Sequence, residues 1–330
     1  MKRPWLAPLV PLYAAGAALR ARRLQVRRLD WPVISIGNLS MGGAGKTPLT
    51  IALAQLLTER GMNVDVLSRG YGRANREPER VRTDGTASEF GDEPLLIARA
   101  TGVPVYVAPE RYDAGLLAEA EFAGQQGLGD VNRPCVHLLD DGFQHRQLAR
   151  DADILLMNRV DWQDTMLPAG NLREAVREAL RANALAIPVD DAALETELRE
   201  WGWRGPVWRL QRRMEIRAVD GPVLAFCGIA RPVQFFAGLE RAGVRAAVRS
   251  AFRDHHRYSA HDVERLLASA RAAGAAALVT TEKDAVRMGN LVEEFAPGLP
   301  LITARLITSI EDEDEVFEWL AVRLNMARAL

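Results

Sequence analysis

Lysine, cysteine and net charge are all scarce in this 330-residue sequence, and each scarcity excludes a class of protein. The two cysteines, Cys135 and Cys227, lie far apart, so they provide neither a disulfide framework nor a cysteine-based zinc motif, and a reducing compartment is expected. The formal net charge of −1 argues against a nucleic-acid-binding protein, which usually carries a strongly basic domain. A chain that is 48% hydrophobic and 26% charged is nevertheless typical of a folded protein, and its length suits two domains.

Arginine replaces lysine almost throughout the sequence. Of the 42 basic residues, 39 are arginine, and the three lysines are Lys2, Lys46 and Lys283. A compact ammonium and a planar guanidinium are not interchangeable in the contacts they make. A lysine retained in such a sequence therefore indicates a position where arginine would not serve.

The N-terminus concentrates the positive charge, with a net charge of +6 over residues 1–30. Between Arg3 and Arg20 lie 16 uncharged residues, including Trp5 and Tyr13. This stretch is shorter than the ~20 residues that a membrane-spanning helix needs. An apolar, aromatic segment flanked by arginines predicts a segment that lies in the membrane interface and meets anionic lipid headgroups. The alternative is an N-terminal helix docked on the protein's own surface.

Strand and helix patterns alternate along the chain, which predicts parallel sheets covered by helices. We expect a buried strand over residues 31–37, a helix over residues 46–60 and a long, polar, glycine-rich loop over residues 68–91. The α/β class follows from this alternation.

The pattern changes after about residue 185. Residues 171–181 are expected to be helical, whereas residues 191–220 are charged, rich in tryptophan and predicted to be irregular. A new strand–helix alternation then begins at residue 223. We therefore predict an N-terminal segment over residues 1–30, a first domain over residues 31–215 and a smaller α/β domain over residues 216–330.

A phosphate-binding loop is predicted where the run SIGNLSMGGAGKTP follows a strand and opens a helix. Its glycines leave the backbone free to point N–H groups at phosphate oxygens, Lys46 supplies charge and Thr47 supplies a hydroxyl for Mg²⁺. The start of the helix adds its positive dipole end. Ser40 stands where the strict pattern has glycine. The alternative is a glycine-rich turn that binds no ligand.

An acidic pair follows another apolar run, in VHLLDDGFQH. Carboxylates at the end of a strand suit Mg²⁺, which takes one or two protein carboxylates and keeps several waters. Asp140 and Asp141 are therefore candidate metal ligands beside the phosphate loop, although such a pair alone could be a solvated turn.

A kinase that acts on an alcohol benefits from a base that takes the hydroxyl proton. One candidate is Asp92 in FGDEP, whose alternative role is to cap a helix. The other is the run Asp254-His255-His256, since a histidine beside a carboxylate can be tuned as a base. His261, a further histidine nearby, raises the alternative of a metal cluster.

Seven motifs spread over nearly the whole chain resemble, in the same order, those of the tetraacyldisaccharide 4'-kinase family, the kinases of lipid A biosynthesis in Gram-negative bacteria. Ser40 is itself typical of that family, whereas Asn171 departs from the proline or small residue more usual there. The motifs are GNLSMGGAGKTP at 37–48, SRGYGR at 68–73, GDEP at 91–94, LLDDGFQHR at 138–146, LPAGNLRE at 167–174, DHH at 254–256 and TTEKDAVRM at 280–288.

The resemblance implies transfer of the γ-phosphate of ATP, with Mg²⁺, to the 4'-hydroxyl of a tetraacylated glucosamine disaccharide 1-phosphate, giving lipid IVA. It implies a monotopic protein on the cytoplasmic face of the inner membrane, acting on a lipid precursor with no obligate protein partner. It also implies two α/β/α domains with the active site between them. The first would be a doubly wound, RecA-like P-loop NTPase sheet and the second smaller and Rossmann-like.

Family roles carry over to individual positions. Asp92 matches the catalytic aspartate, and His255 is our choice for its partner histidine, with His256 as the alternative. Asp140, Asp141 and Thr47 match the metal site. The triphosphate would be held by Ser40, Met41, Gly42, Gly43, Ala44, Gly45, Lys46 and Thr47. Substrate- or phosphate-facing positions are Arg69, Tyr71, Arg111, Gln144, His145, Arg173 and Glu174, whereas Lys283 has no assigned role beyond a specific contact across the domain cleft.

Two other functions remain open from the sequence. A membrane-associated P-loop switch ATPase of the partitioning or targeting type shares the phosphate loop and the basic N-terminus, but it needs neither Asp92 nor His255. A peripheral lipid-binding scaffold with a degenerate nucleotide site is the other alternative, and the intact Lys46, Thr47 and Asp140 argue against it.

Overall fold

A computed structural model describes residues 3–22, 25–43, 45–124, 133–295 and 299–329. Ala44 of the predicted phosphate loop, and Lys2 and Arg23 of the basic N-terminus, lie outside these ranges. The strands are β1 (Val33–Asn38), β2 (Asn63–Ser68), β3 (Glu79–Arg80), β4 (Val105–Val107), β5 (Cys135–Asp140), β6 (Ala152–Leu156), β7 (Ala184–Pro188), β8 (Val207–Glu215), β9 (Val223–Cys227), β10 (Ala246–Ala251), β11 (Ala277–Thr281) and β12 (Leu301–Ile310).

The α-helices alternate with these strands, and 3₁₀ helices cover Pro4–Leu9, Val176–Arg181 and Gly289–Glu294. The α-helices are α1 (Val10–Arg22), α2 (Lys46–Glu59), α3 (Ala87–Phe90), α4 (Asp92–Thr101), α5 (Arg111–Gly124), α6 (Arg159–Trp162), α7 (Ala192–Trp201), α8 (Pro232–Arg241), α9 (Ala260–Ala272), α10 (Glu282–Met288) and α11 (Glu313–Ala329).

The twelve strands form one continuous sheet in the order β10-β9-β11-β12-β8-β7-β6-β1-β5-β2-β4-β3. The sheet has two halves, one running from β8 to β3 in this order and the other from β10 to β12. Strands within each half pair in parallel, apart from the edge strand β3, and the two halves meet where β12 pairs antiparallel with β8. The predicted α/β class is confirmed. The carboxyl ends of the central strands meet at one edge, as parallel pairing requires, and this edge carries the site.

Both faces of the sheet are covered, because alternate residues of a strand point to opposite sides. On β1, Ile34 and Ile36 pack in the cluster that holds Leu49 and Leu53 of α2, whereas Val33 packs in a second cluster with α5. In the other half, Phe226 of β9 belongs to a cluster with α9, and its neighbours on the strand face α8. This two-sided burial explains the nearly continuous apolar runs in the sequence.

The last helix returns to the first half of the chain. Helix α11 packs against α2 and β6, and its Val316, Leu320 and Leu324 are buried in the same cluster as Ile34 and Leu53. The core of the first half therefore includes the C-terminal residues.

Residues 191–220, predicted to be irregular, instead contain α7 and β8, so that prediction is wrong. Asp191 caps α7 by accepting a hydrogen bond from Leu194 N. In β8, buried Trp208 and Leu210 alternate with exposed Arg209, so a charged composition conceals a period of two.

Two shorter segments also differ from the predictions. Residues 171–181 contain only the 3₁₀ helix Val176–Arg181, because the residues before it pair with the phosphate loop: Met41 N donates to Asn171 O (2.9 Å) and Arg173 N to Leu39 O (2.7 Å). The loop predicted over residues 68–91 contains β3 and α3.

The predicted N-terminal segment exposes apolar side chains. Trp5 and Leu12 are 76% and 73% exposed, and Arg3 N donates to Ala169 O at 2.6 Å, which ties the segment to the loop beyond Met166. Across the described ranges, every helix is too short or too polar to span a bilayer.

Candidate active site

The phosphate loop joins buried strand β1 to α2, as predicted. Gly42 and Gly45 adopt positive φ angles of 93° and 91°, a region open to glycine and strained for other residues. Lys46, the first residue of α2, donates from Nζ to Asn38 Oδ1 at 2.9 Å and lies 3.2 Å from Asp141 Oδ1. Asn38 in turn donates to Ser40 Oγ at 2.8 Å. The lysine ammonium is therefore held at the mouth of the loop, beside an acidic group.

Residues of β8 and of the second half lie against this loop. A Cβ placed on Gly45 would come within 2.6 Å of Arg212 on β8, and one on Gly42 within 3.0 Å of Ala230 after β9. A side chain at Gly45 would displace the Arg212 guanidinium, and one at Gly42 would press on Ala230. The glycines thus serve both the backbone conformation and the closeness of the two halves.

The acidic pair lies at the end of β5. Buried Asp140 accepts a hydrogen bond from Thr50 Oγ1 (3.1 Å), and burial, Glu93 and Asp141 raise the pKa of Asp140 to about 7 against the opposing charge of Lys46. Burial would also raise the pKa of Asp141, but Lys46 and Arg173 outweigh it and lower that pKa. Protein cations thus neutralise Asp141 more fully than Asp140.

This donor set fits Mg²⁺ bound with a triphosphate. Asp140 and Asp141 supply oxygen ligands, the half-buried Thr47 hydroxyl is at the start of α2, and the unfavourable field at Asp140 is one that an added cation relieves. Hard oxygen donors in this number suit Mg²⁺ rather than a transition metal.

Arg173 and Gln144 close one side of the loop. Arg173 Nη1 donates to Asp141 (3.2 Å to Oδ2) and to Gln144 Oε1 (3.2 Å), and Gln144 Nε2 donates to Asn38 O (2.7 Å). Glu174, predicted beside them, is engaged elsewhere, because its two carboxylate oxygens pair with Arg146 and Arg181 at 2.7 Å. Its predicted contact with substrate would require these ion pairs to rearrange.

A basic group lies on the other side of the acidic pair. Burial lowers the pKa of Arg111, which is 7% exposed, to about 10, with Arg69 adding to the shift and Asp141 opposing it. Burial, Arg111 and Arg150 lower the pKa of His145 to about 3, so this imidazole is neutral. Within the described residues, neither Arg111 Nε nor His145 Nε2 has a hydrogen-bond partner. Buried polar atoms of this kind normally find one, so both are suited to an anionic ligand.

Asp92 and His255 are brought together from opposite halves of the chain. Asp92 is the first residue of α4 and is 5% exposed, and its Oδ2 lies 3.2 Å from His255 Nδ1. His255 adopts φ 57° and donates from its backbone N to Gly228 O (3.1 Å), which fixes the ring over the cleft. The exposed Tyr71 ring lies 5.3 Å from the His255 ring.

The neighbouring histidines make different contacts. His256 Nε2 lies 3.1 Å from Asp262 Oδ2, and its ring stacks on Phe252. His261 is on the exposed face of α9, paired with Glu264. In the described part of the chain, no group of three or more His, Cys, Asp or Glu side chains could hold a metal ion. The alternative of a histidine metal cluster therefore has no site there.

Two basic residues of α10 complete the surroundings of Asp92. Lys283 Nζ lies 2.6 Å from Glu93 Oε1 and 3.9 Å from Asp92 Oδ2. Arg287 places both Nε and Nη2 at 2.6 Å from Asp92 Oδ2. Burial would raise the pKa of Asp92, but His255, Lys283 and Arg287 outweigh it and hold that pKa well below its usual range.

Arg287 was not among the predicted site residues. It was one arginine among 39, and the signal that could have found it is its position one helical turn after Lys283, which places both on one face of α10.

A buried parallel strand, a glycine-rich loop with a lysine at the helix start, and carboxylates at the end of the neighbouring strand together define a P-loop nucleoside-triphosphate-binding protein. The family of tetraacyldisaccharide-1-P 4'-kinases matches residues 2–325, and the chain belongs to it. It is therefore a kinase.

Individual relatives agree over most of their length. A tetraacyldisaccharide 4'-kinase of Koribacter versatilis is 42% identical over 327 residues, which cover 94% of this chain and 96% of the relative. One of Geobacter metallireducens is 38% identical over 321 residues, 88% of this chain and 90% of the relative. The crystal structure of an "apo" form LpxK from Aquifex aeolicus in complex with ATP aligns with a TM-score of 0.73 and 31% identity, covering 97% of this chain and 98% of that one.

Proposed function

We propose that this kinase transfers the γ-phosphate of ATP to the 4'-hydroxyl of tetraacyldisaccharide 1-phosphate, giving lipid IVA in lipid A biosynthesis. The observation that carries this proposal is the position of α4. Its first residue, Asp92, is a buried carboxylate paired with His255 of the other half, and its second, Glu93, is close enough to Asp140 to raise the pKa of that group. A proton acceptor therefore lies near the acidic pair of the phosphate site, as a kinase acting on an alcohol requires.

In this proposal the phosphate loop, Ser40 to Thr47, holds the triphosphate, and Lys46 neutralises charge on the transferred group. Thr47, Asp140 and Asp141 would hold Mg²⁺, which when bound supplies further neutralisation of phosphate charge. Asp92 accepts the proton of the attacking hydroxyl, and His255 orients the carboxylate. Because Asp92 is held ionised, it is in the acceptor form at neutral pH.

The remaining family positions contact substrate in this proposal. Arg111 lies near the acidic pair, and Arg69 and His145 lie near Arg111. The three suit phosphate oxygens, since the buried Arg111 Nε is a donor without a partner in the described residues and His145 Nε2 can donate in one tautomer. Tyr71 lies beside His255 at the entrance, where a sugar ring would approach. Gln144 and Arg173 border the loop on the other side, and Glu174 would reach substrate only after leaving its ion pairs with Arg146 and Arg181.

We also propose that residues 1–30 place the protein on the cytoplasmic face of the inner membrane, as a peripheral, monotopic protein. Exposed Trp5, Leu9 and Leu12 offer apolar surface to lipid, and the basic residues around them suit anionic headgroups. Residues 31–215 would then form the kinase domain, and residues 216–330 the smaller domain, with α11 reaching back to the first.

The test supplies the full chain with Mg²⁺ and ATP labelled on its γ-phosphate, with and without tetraacyldisaccharide 1-phosphate in detergent micelles. We expect label in the lipid, at the 4' position, and we expect little free phosphate when the lipid is left out. Release of labelled phosphate independent of the lipid would support the switch ATPase instead. If neither labelled lipid nor labelled free phosphate forms, the scaffold alternative remains.

A further inference from the structure

The guanidinium of Arg287 is among the most constrained side chains in the described cleft. Its side chain is 6% exposed, as is the side chain of its partner Asp92, and two of its nitrogens lie 2.6 Å from the same carboxylate oxygen, Oδ2. That oxygen also faces His255 Nδ1 at 3.2 Å. Arg287 Nη2 lies 3.4 Å from His255 Nδ1. One side chain therefore contacts both members of the predicted catalytic pair.

Arg287 is itself held from behind. Its Nη1 donates to Asp284 Oδ1 (3.1 Å), and Asp284 is fully buried. Asp284 also accepts hydrogen bonds from Tyr258 Oη (3.0 Å) and from Gly228 N (3.0 Å). These donors fix the orientation of the Asp284 carboxylate, and that carboxylate in turn fixes the guanidinium of Arg287.

A shared backbone group links Arg287 to the histidine. Gly228 O accepts a hydrogen bond from Arg287 Nη1 and another from His255 N. A Cβ on Gly228 would meet Arg253 O at 3.1 Å and Asp284 Oδ1 at 3.2 Å, so a larger residue would have to push these neighbours back by a few tenths of an ångström. The Gly228 carbonyl at the end of β9 thus positions both the backbone of His255 and the side chain of Arg287.

We propose that Arg287 is a positioning residue for this kinase: by contacting Asp92 and His255 together, it holds them in the relative orientation that proton transfer from the sugar hydroxyl needs. The inference rests on the proposed function. Arg287 is on α10 and Asp92 is on α4, so the contact between them forms only when these helices of the two halves are docked. The groups that face Asp92 are His255, Lys283 and Arg287, with the adjacent Glu93 paired to Lys283.

Lys283 has a separate part in this arrangement. Its closest partner is Glu93, and it is farther from Asp92 than either Arg287 nitrogen. It supplies a second ion pair between α10 and α4, one turn from the first. Replacing Lys283 should therefore weaken docking without disturbing the geometry of Asp92 as directly.

The experiment compares Arg287→Met and Arg287→Lys in the full chain, with Arg305→Met as the matched control. Arg305 also pairs with α10, through Glu282 (2.8 Å), but has no contact with Asp92 or His255. Arg287→Met should lower kcat by about 10²-fold, because misplacing a reacting group has that order of effect. KM for ATP should stay within about threefold, because binding of the triphosphate is a uniform interaction that Arg287 does not make.

The pH profile separates positioning from a merely structural role. Loss of the guanidinium charge beside Asp92 should move the acidic limb of kcat to higher pH by about one unit or more. Arg287→Lys retains the charge and loses the planar fork, so kcat should fall while the acidic limb stays near its wild-type position. Arg305→Met should match the wild type in both measurements.

Several outcomes would overturn the inference while leaving the kinase assignment intact. One is an Arg287→Lys variant with wild-type kcat, which decides the matter even if Arg287→Met does not fold. Another is a folded Arg287→Met variant whose kcat falls without any movement of the acidic limb. A wild-type chain that leaves the disaccharide lipid unlabelled would instead overturn the proposed function itself.

Discussion

Strand β5 carries a cluster of charged groups near each of its ends, and the clusters differ in how completely the protein satisfies them. Near the start, fully buried His137 has Nδ1 2.7 Å from Asp65 Oδ1 and Nε2 3.4 Å from Glu119 Oε1. Trp31 stacks on the imidazole at 5.0 Å and donates from its backbone N to Glu119. Both ring nitrogens are used within the chain.

At the other end, Lys46 and Arg173 pair with Asp141, whereas the buried nitrogens Arg111 Nε and His145 Nε2 have no hydrogen-bond partner within the described residues. The same strand thus carries a closed network at one end and an incomplete one at the other. A closed ionic cluster is costly to break, because removing one partner leaves a buried charge, whereas an incomplete one suits charges that arrive with a ligand.

The pKa values follow this difference. Burial alone would lower the pKa of His137, but Asp65 and Glu119 outweigh it and raise that pKa to about 9, so the imidazole is charged at neutral pH. At the other end, burial and neighbouring carboxylates raise the pKa of Asp140 to about 7. Burial also raises the pKa of Asp65, against the opposing charge of His137. The first end is therefore satisfied by hydrogen bonds within the chain, whereas the second keeps buried nitrogens without partners in the described residues.

The largest effect is expected from Lys46→Ala, which removes the cation at the incomplete end. kcat should fall by about 10³-fold or more, because charge neutralisation is the main contribution of the protein to phosphoryl transfer. The fold should survive, since the ammonium is at the mouth of the loop. Steady-state kinetics beside thermal unfolding test this, with the exposed Arg209→Ala as the control. Activity within tenfold of the wild type would remove Lys46 from the site.

The opposite pattern is expected from Asp65→Ala at the closed end. Breaking a buried ionic cluster leaves His137 with one partner and should lower the free energy of unfolding by about 3 kcal/mol. The kcat of the folded fraction should change little. Asp113→Ala, which breaks the half-exposed pair with Arg27, should cost less than about 1 kcal/mol. If urea titrations gave equal losses of unfolding free energy for Asp65→Ala and Asp113→Ala, the contrast between the two ends of β5 would be contradicted.

A smaller effect concerns pH. The pKa of His137 is about 9 in the folded state, against an unperturbed value of 6.5. Its contribution to stability is therefore fully present below pH 6.5 and is lost as the pH rises through 9, by about 3 kcal/mol in all. Urea titrations of the wild type at pH 6.5 and 9.5 should show this loss, and Asp65→Ala should show less of it. A flat wild-type dependence would mean that His137 is neutral throughout.

Local sequence was sufficient where a site residue and its element are specified within a few positions. The strand–loop–helix around Lys46 and the strand that ends at Asp140 could be predicted because glycine freedom and apolar runs are properties of neighbouring residues. The placing of Asp92 beside His255 came instead from the family resemblance, since 163 positions separate them in the sequence.

The contacts of Arg212 and Arg287 could not be predicted. Each meets a residue far away in the chain, and nothing in an arginine-rich sequence distinguishes the arginine that packs on Gly45 or binds Asp92. Strand β8 was missed for a related reason. It is polar on one face and joins the two halves, so its burial is set by β7 and β12 rather than by its own composition.

The return of α11 to the first half bears on how the chain is made. The ribosome makes the phosphate-loop segment long before Val316, Leu320 and Leu324, which lie in the same core cluster as α2. A nascent chain that stops before α11 leaves apolar surface of α2 and β6 facing water. The half of the sheet that is made first can therefore bury its apolar surface fully only after the other half has been synthesised.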